Sequence, residues 1–285
     1  IPAELASFSC MYCGARLTKE QLAAEPPAAQ EADEDRAAYY DRAVSRLGWC
    51  IKNFGGYQKK IMRDVFFEAF ETYETGCAPV IQELARGVAP EQQTQLLGRA
   101  AAAMLDELEA GWQKKGDMED EKIVLAIFFV PMVRKQQLPI SEEFVTILQK
   151  QWVERYPKSP FYLGDYESIS GGFRKKFLGL CFITTAVCQE LGKPDDCEEL
   201  TAFRAFRDGY LRSQPDGEAL IREYYNIAPG IVTCINTCSD RHASYARIRE
   251  EYLAPCYQDL LAGRNESCKA RYVRMVRDLE REYLS

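Results

Sequence analysis

The feature that most limits the fold of this 285-residue chain is the spacing of its apolar residues. From Asp33 onward they recur every three or four positions, and no stretch of convincing length alternates apolar and polar residues. Within 36–54, for example, Tyr40, Ala43 and Leu47 would form one stripe along a helix. We therefore predict an all-α fold of one or two multi-helix bundles, preceded by a short irregular N-terminal segment.

Two segments interrupt the helical pattern and mark expected domain boundaries. Residues 1–32 contain a Cys-x-x-Cys pair and then a stretch rich in proline, alanine and glutamate, which is typical of a linker. Residues 157–172 combine prolines, glycines and tyrosines without periodicity, which indicates a connecting loop. An N-terminal helical bundle is then expected at 33–156 and a C-terminal helical domain at 173–285. In the C-terminal domain we predict helices at 173–192, 196–213, 216–227, 229–252 and 265–284.

Net charge and hydropathy restrict the partners and the compartment. The formal net charge is −7, so nucleic acid is not an expected partner, because a phosphate backbone repels an acidic surface. The longest apolar run, 123–133, is too short to span a bilayer and contains a proline. The sequence shows no basic region followed by an apolar stretch, so no secretory signal is predicted. We expect a cytoplasmic protein without a membrane span, whose partner is another protein.

The eleven cysteines fit that compartment. An odd number cannot pair completely within one chain, whereas in a reducing cytoplasm cysteine behaves as a small buried apolar residue. We therefore expect free thiols. Cys256 and Cys268 could face each other across a helical hairpin, but we expect them to pack there rather than to form a disulfide.

The densest group of chemically distinctive residues begins at Cys181. On a helix, Cys181, Thr184, Thr185 and Cys188 would share one face, because spacings of three, four and seven residues bring side chains into line. This sequence therefore predicts a helical face composed of small side chains and two thiols.

The next residues predict a reversal of the chain. The Gly-Lys-Pro-Asp sequence at 192–195 ends one helix, which should bring Cys197 close to the end of the helix that carries Cys188. Asp195 or Asp196 is the expected N-cap of the following helix.

The sequence around this block resembles a known family. The matching segments are Cys-Phe-Ile-Thr-Thr-Ala at 181–186, Phe-Arg-Ala-Phe-Arg-Asp at 203–208, Tyr-Leu at 210–211 and Tyr-Tyr-Asn-Ile-Ala-Pro at 224–229. Together they resemble the bacterial CFI-box domain over residues 178–232, although the usual core of that family has alanine where this chain has Thr184. The resemblance implies a bacterial origin. Because the family has no established biochemical activity, the resemblance supplies no catalytic residues.

Three interpretations of the cysteine block remain open. The first is core packing, since cysteine, threonine and alanine allow helices to approach closely. The second is a thiol site, in which Arg204 or Arg207 lowers the pKa of Cys181 or Cys188. The third is a metal site formed by Cys181, Cys188 and Cys197, although their spacing does not match the tight knuckles of structural zinc sites.

Cys10 and Cys13, followed by Gly14, resemble the first knuckle of a zinc ribbon. A complete ribbon needs a second cysteine pair some 15–20 residues later, and the next cysteine is the single Cys50. The pair could therefore hold zinc together with ligands from elsewhere, act as a redox pair, or belong to a metal-free tail.

A second weak metal pattern lies near the end of the chain. Cys234, Cys238 and His242 are spaced by four residues and would lie on one predicted helix, where two of them could bind a metal together with Cys268. A partly buried stripe is the alternative. His242 is the only histidine, so any catalysis that pairs a nucleophile with histidine must use it.

These patterns favour a cytoplasmic helical interaction or scaffold protein of the CFI-box type, with zinc as the one cofactor indicated. The alternative is a thiol-dependent enzyme or redox sensor that uses Cys181 or Cys188, with Arg204 or Arg207 as the activating cation.

Overall fold

The computed structural model describes residues 7–9, 16–18, 27–174 and 181–285, and it confirms the all-α prediction. The helices of the first half are α1 (Pro27–Leu47), α2 (Trp49–Lys52), α3 (Phe66–Gly87), α4 (Gln93–Gly111), α5 (Lys115–Val124), α6 (Val130–Lys135) and α7 (Ser141–Arg155). Those of the second half are α8 (Tyr166–Arg174), α9 (Phe182–Glu190), α10 (Glu198–Ala205), α11 (Gly217–Cys238), α12 (Arg241–Ile248), α13 (Ala254–Leu261) and α14 (Asn265–Tyr283).

Shorter elements are also present, among them 3₁₀ turns at Tyr57–Lys60 and Pro90–Gln92. Strands β1 (Ser7–Ser9) and β2 (Arg16–Thr18) pair antiparallel. A π turn at Leu125–Phe129 joins α5 to α6, a second at Phe206–Leu211 follows α10, and a third at Arg249–Leu253 joins α12 to α13. Within the described ranges, no helix is both long and apolar enough to cross a membrane.

An aromatic cluster forms the centre of the first half. Phe66, Phe70 and Tyr73 lie on the buried face of α3, and their rings lie 5.6–6.1 Å from the ring of Phe128. The Tyr73 hydroxyl, which is fully buried, donates a hydrogen bond of 2.8 Å to the carbonyl of Cys50. Such a bond is needed because a buried hydroxyl without a partner costs about 1–3 kcal/mol.

The hydrophobic core continues across the expected loop at 157–172. The ring of Phe66 stacks on that of Phe173 at 4.2 Å, and the backbone amide of Tyr162 donates to the carbonyl of Thr237 at 2.8 Å. Packing contacts thus join the residues before and after the expected loop. The division into two domains stays a prediction.

Helix α11 differs from the sequence prediction, which placed a junction at Pro229. The helix runs through Pro229, and the next residue provides a close backbone contact. A Cβ atom added to Gly230 would lie 1.8 Å from the carbonyl oxygen of Ile61. Only glycine allows this approach, so Gly230 is where the chain after α2 packs against α11.

Candidate thiol site

The sequence predicts that Cys181 lies within a helix. In the structure it lies at the start of α9 instead. The predicted helix at 173–192 is not continuous, because α8 ends at Arg174 and α9 begins at Phe182. Cys181 is the N-cap residue, with φ −108° and ψ 80°, and it is 4% exposed. Its thiol therefore leaves the helix face that carries Thr184 and Cys188.

The side chain that contacts this thiol is Arg207, which the π turn at Phe206–Leu211 carries. Its Nη1 donates to the Cys181 sulfur at 3.5 Å and to the Tyr225 hydroxyl at 3.1 Å. Nε and Nη2 donate to the two carboxylate oxygens of Asp208 at 2.8 and 2.6 Å. Arg207 is only 7% exposed. A buried guanidinium is thus held in one orientation, with one nitrogen directed at sulfur.

Opposing influences act on the thiol. Burial raises the pKa of Cys181 above its ordinary value, and the positive charges of Arg207 and Arg204 offset part of this rise. The negative charge of Asp208 acts in the same direction as burial. Because burial dominates, Cys181 is a protonated thiol at neutral pH in this conformation, although its neighbours favour the thiolate.

Two tyrosines bind the first turn of α9. The Tyr224 hydroxyl accepts a hydrogen bond of 3.0 Å from the backbone amide of Ile183, which would otherwise lack a partner at the helix start. The Tyr272 hydroxyl lies 3.2 Å from Thr184 Oγ1. Burial raises the pKa of Tyr224 well above its ordinary value, so this phenol remains protonated. These bonds fix the position of Cys181 relative to the rest of the domain.

A small cavity of about 60 Å³ adjoins the thiol. Its apolar lining includes Phe203, Phe206, Ile221 and Val276. Cys181 and Arg207 contribute the polar part, and Glu223 and Arg277, which pair with each other at 2.7 Å, also line it. Such a volume admits only a few water-sized groups. A small or narrow apolar molecule could therefore reach the sulfur.

Arg204, the second cation considered in the sequence analysis, is engaged elsewhere. It donates to the carbonyl and the carboxylate of Asp195, both at 2.7 Å. Helix α10 begins after Cys197, which makes Cys197 its N-cap residue, so the prediction of Asp195 or Asp196 as N-cap is wrong. Asp195 instead pairs with Arg204, which acts on Cys181 only through its charge.

The predicted chain reversal after α9 is confirmed. The backbone amide of Lys193 donates to the Cys188 carbonyl at 2.9 Å, and Gly192 has the left-handed φ of 67° that such helix ends require. The turn brings Cys197 into hydrogen-bonding contact with Cys188. Cys188 lies seven residues beyond Cys181, or about 10 Å along a helix, so the two thiols belong to different sites.

The expected metal face near the end of the chain does not form on one helix. Helix α11 ends at Cys238 and α12 begins at Arg241, so His242 follows a break in direction. Cys234 is completely buried, whereas the side chain of His242 is 80% exposed and pairs with Glu190. The prediction that these three side chains share one helix face required a continuous helix, and the helix ends at Cys238.

The other metal predictions have different outcomes. Cys10 and Cys13 lie outside the described residues. Cys181, Cys188 and Cys197 do not share a site, since Cys181 lies at the opposite end of α9 from the other two. In the part of the chain that the structure describes, no group of three or more histidine, cysteine, aspartate or glutamate side chains is placed to hold a metal ion.

Sequence reasoning missed two contacts of the block. The backbone carbonyl of Asn226 accepts from the amide of Arg63 at 3.0 Å, and its side-chain oxygen accepts from the amide of Asp64 at 3.0 Å. Tyr272 reaches Thr184 from a helix 88 residues away along the chain. No periodicity or local motif reports contacts of this separation.

Comparisons of the chain with protein-family models, with curated proteins and with solved structures found no match.

Proposed function

We propose that this protein is a helical thiol sensor whose working group is Cys181. The single observation that carries the proposal is the orientation of Arg207, a nearly inaccessible cation with a nitrogen 3.5 Å from the Cys181 sulfur. Placing a guanidinium in a protein interior costs several kcal/mol before its partners compensate. Core packing alone does not need a cation beside a thiol.

The cavity next to Cys181 supports the same proposal. Its apolar lining and small volume suit a small, largely uncharged oxidant or electrophile. A sensor is favoured over an enzyme because burial keeps the thiol protonated at rest. Both reactions proceed through the thiolate, but a group that reacts once per signal tolerates a small thiolate fraction, whereas fast turnover does not.

A second candidate function is the interaction or scaffold role of a CFI-box-type protein. The observation that favours it is the contact between Asn226 and the chain at Arg63 and Asp64, which shows that residues of the same block hold both halves together. In this function the block is a packing element, and Cys181 need not react. Bacterial origin and cytoplasmic location remain part of both proposals.

Alkylation kinetics separate the two functions. Native protein would be treated with iodoacetamide, quenched at intervals and quantified peptide by peptide. Cys234 is the internal reference, because burial also raises its pKa and its thiol donates to the backbone carbonyl of Tyr283. We expect Cys181 to react faster than Cys234, and Arg207→Met to slow Cys181 about tenfold, since an adjacent cation lowers a thiol pKa by about one unit or more.

Two variants keep the experiment interpretable. Arg207→Lys retains the charge and should keep much of the reactivity. Arg42→Met removes an exposed cation that pairs with Glu83 and does not line the cavity, so it should change the alkylation rate of neither cysteine. If Arg207→Met unfolds the protein, alkylation of Cys234 becomes faster as well. The alkylation rate of Cys181 in Arg207→Lys then decides between the two functions. Equal rates for Cys181 and Cys234 in the native protein would reject the sensor and leave the scaffold function.

A further inference from the structure

Cys197 differs from the other cysteines that the structure describes. Nine cysteines lie in the described ranges, and Cys197 is the one among them that is not buried. Its thiol is hydrogen-bonded to that of Cys188, which is completely buried at the end of α9. One partly exposed thiol therefore touches one protected thiol.

The fold holds this pair together through a short, well-defined turn. The amide of Lys193 caps the Cys188 carbonyl, and Gly192 supplies the left-handed residue that turns the chain. On the far side, the amide of Thr201 donates to the Cys197 carbonyl at 3.0 Å as α10 begins. Both sulfurs are thus attached to helix ends, so neither needs a large backbone movement to reach the other.

Two further cysteine pairs provide an internal comparison. The Cys77 thiol donates to the Cys50 carbonyl at 3.9 Å, and the Cys256 thiol donates to the Cys268 carbonyl at 3.9 Å. All four of these residues are completely buried. In each of these pairs the two thiols are also in hydrogen-bonding contact, but neither member is partly exposed as Cys197 is.

We propose that Cys188 and Cys197 form a reversible disulfide by exchange with a small-molecule disulfide. The Cys197 thiolate attacks one sulfur of the reagent, which breaks the S–S bond and releases one reagent thiolate. Cys188 then gives its proton to solvent and attacks the Cys197 sulfur, which releases the second reagent thiol. Two protein thiols lose two electrons and two protons, and one reagent disulfide becomes two thiols. This site is independent of the function proposed for Cys181.

The neighbours of the pair set the order of attack. Burial and the adjacent Cys197 raise the pKa of Cys188 to about 12, while the Lys193 ammonium lowers it in part. Cys188 is therefore a poor first nucleophile. The half-buried Cys197 meets the reagent first, and Cys188 acts as the resolving thiol.

The test uses the reduced, full-length protein and glutathione disulfide under native conditions, followed by non-reducing peptide mapping. We expect the Cys188–Cys197 crosslink to form before the crosslinks of Cys50 with Cys77 and of Cys256 with Cys268. Cys188→Ala should stop at a mixed disulfide on Cys197, and Cys197→Ala should give neither product. A stable mixed disulfide on Cys197 in the unmodified protein, or a crosslink no faster than in the two buried pairs, would overturn the proposal.

The same experiment in a Cys181→Ala background separates the two proposals. We expect the Cys188–Cys197 crosslink to form there at an unchanged rate. Loss of the crosslink together with retained native packing, judged by slow alkylation of Cys234, would instead mean that exchange passes through Cys181, and the proposal would be wrong.

Discussion

Replacing Gly230 with alanine should disrupt a close backbone contact between the two halves of the protein. The added Cβ would lie 1.8 Å from the Ile61 carbonyl oxygen, whereas real Cβ atoms essentially never approach a heavy atom within 3.0 Å. The segment after α2 must therefore move away from α11. That movement also removes the hydrogen bonds that Arg63 and Asp64 donate to Asn226.

The expected loss of stability follows from these contributions. Overpacking costs about 1–3 kcal/mol, and two hydrogen bonds contribute about 0.5–1.5 kcal/mol each. Alanine returns about 1 kcal/mol, because it favours a helix more than glycine does. We expect a net decrease of about 3 kcal/mol in the free energy of unfolding, measured as a lower midpoint in urea at an unchanged m value.

Gly98 provides a matched control in the interior of α4. A Cβ atom there would contact Gln151 Nε2 at 4.0 Å, which is ordinary van der Waals distance. Gly98→Ala should therefore raise the free energy of unfolding by up to about 1 kcal/mol. Stabilisation by Gly230→Ala of similar size would refute the close contact and with it the packing role assigned to Gly230.

Three further changes test the surroundings of Cys181. Tyr224→Phe should lower the free energy of unfolding by about 1–3 kcal/mol in urea titration, because a buried backbone amide at the start of α9 loses its acceptor, and an unchanged midpoint would contradict this. Arg207 lowers the pKa of Asp208, so the stability from this pair is present above the unfolded pKa and is lost as pH falls through the folded pKa. Asp208→Asn should lower the free energy of unfolding by at most about 1 kcal/mol at neutral pH, since the carboxylate is half-exposed. In acid, where Asp208 is protonated, the urea midpoints of the variant and the native protein should become equal. Val276→Phe should fill the cavity and slow alkylation of Cys181 without moving its pH midpoint, and an unchanged rate would mean that reagents enter elsewhere.

The helices and the turn after α9 could be predicted because their signals are local. The stripe through Ala43 and Leu47 lies in α1, and the glycine at 192 produces the reversal that the sequence indicates. Pro229 misled the prediction for a physical reason. A proline inside a helix costs about 3 kcal/mol, but here the neighbouring Ala228, Gly230 and Ile231 are buried, and their packing keeps α11 helical through Pro229.

The candidate site was predictable in its composition but not in its geometry. Cys181 and Arg207 were both named from the sequence as members of a thiol site, and the structure brings them together. The N-cap role of Cys181 depends on where α9 starts, and the pairing of Arg204 with Asp195 depends on where α10 starts. Helix ends are the least certain part of a sequence prediction. Tyr272 reaches the site through tertiary packing, which leaves no local signal.

The most direct test of the central claim is the pH dependence of Cys181 alkylation in the native protein and in Arg207→Met. Burial raises the pKa of this thiol above its ordinary value of 9.0, and the guanidinium holds it lower than burial alone would. The rate in the native protein should rise with pH to a midpoint above that value. Removing the cation should shift the midpoint upward by about one further pH unit. Superimposable profiles, with Cys234 equally slow in both proteins, would contradict a role for Arg207 in the reactivity of Cys181.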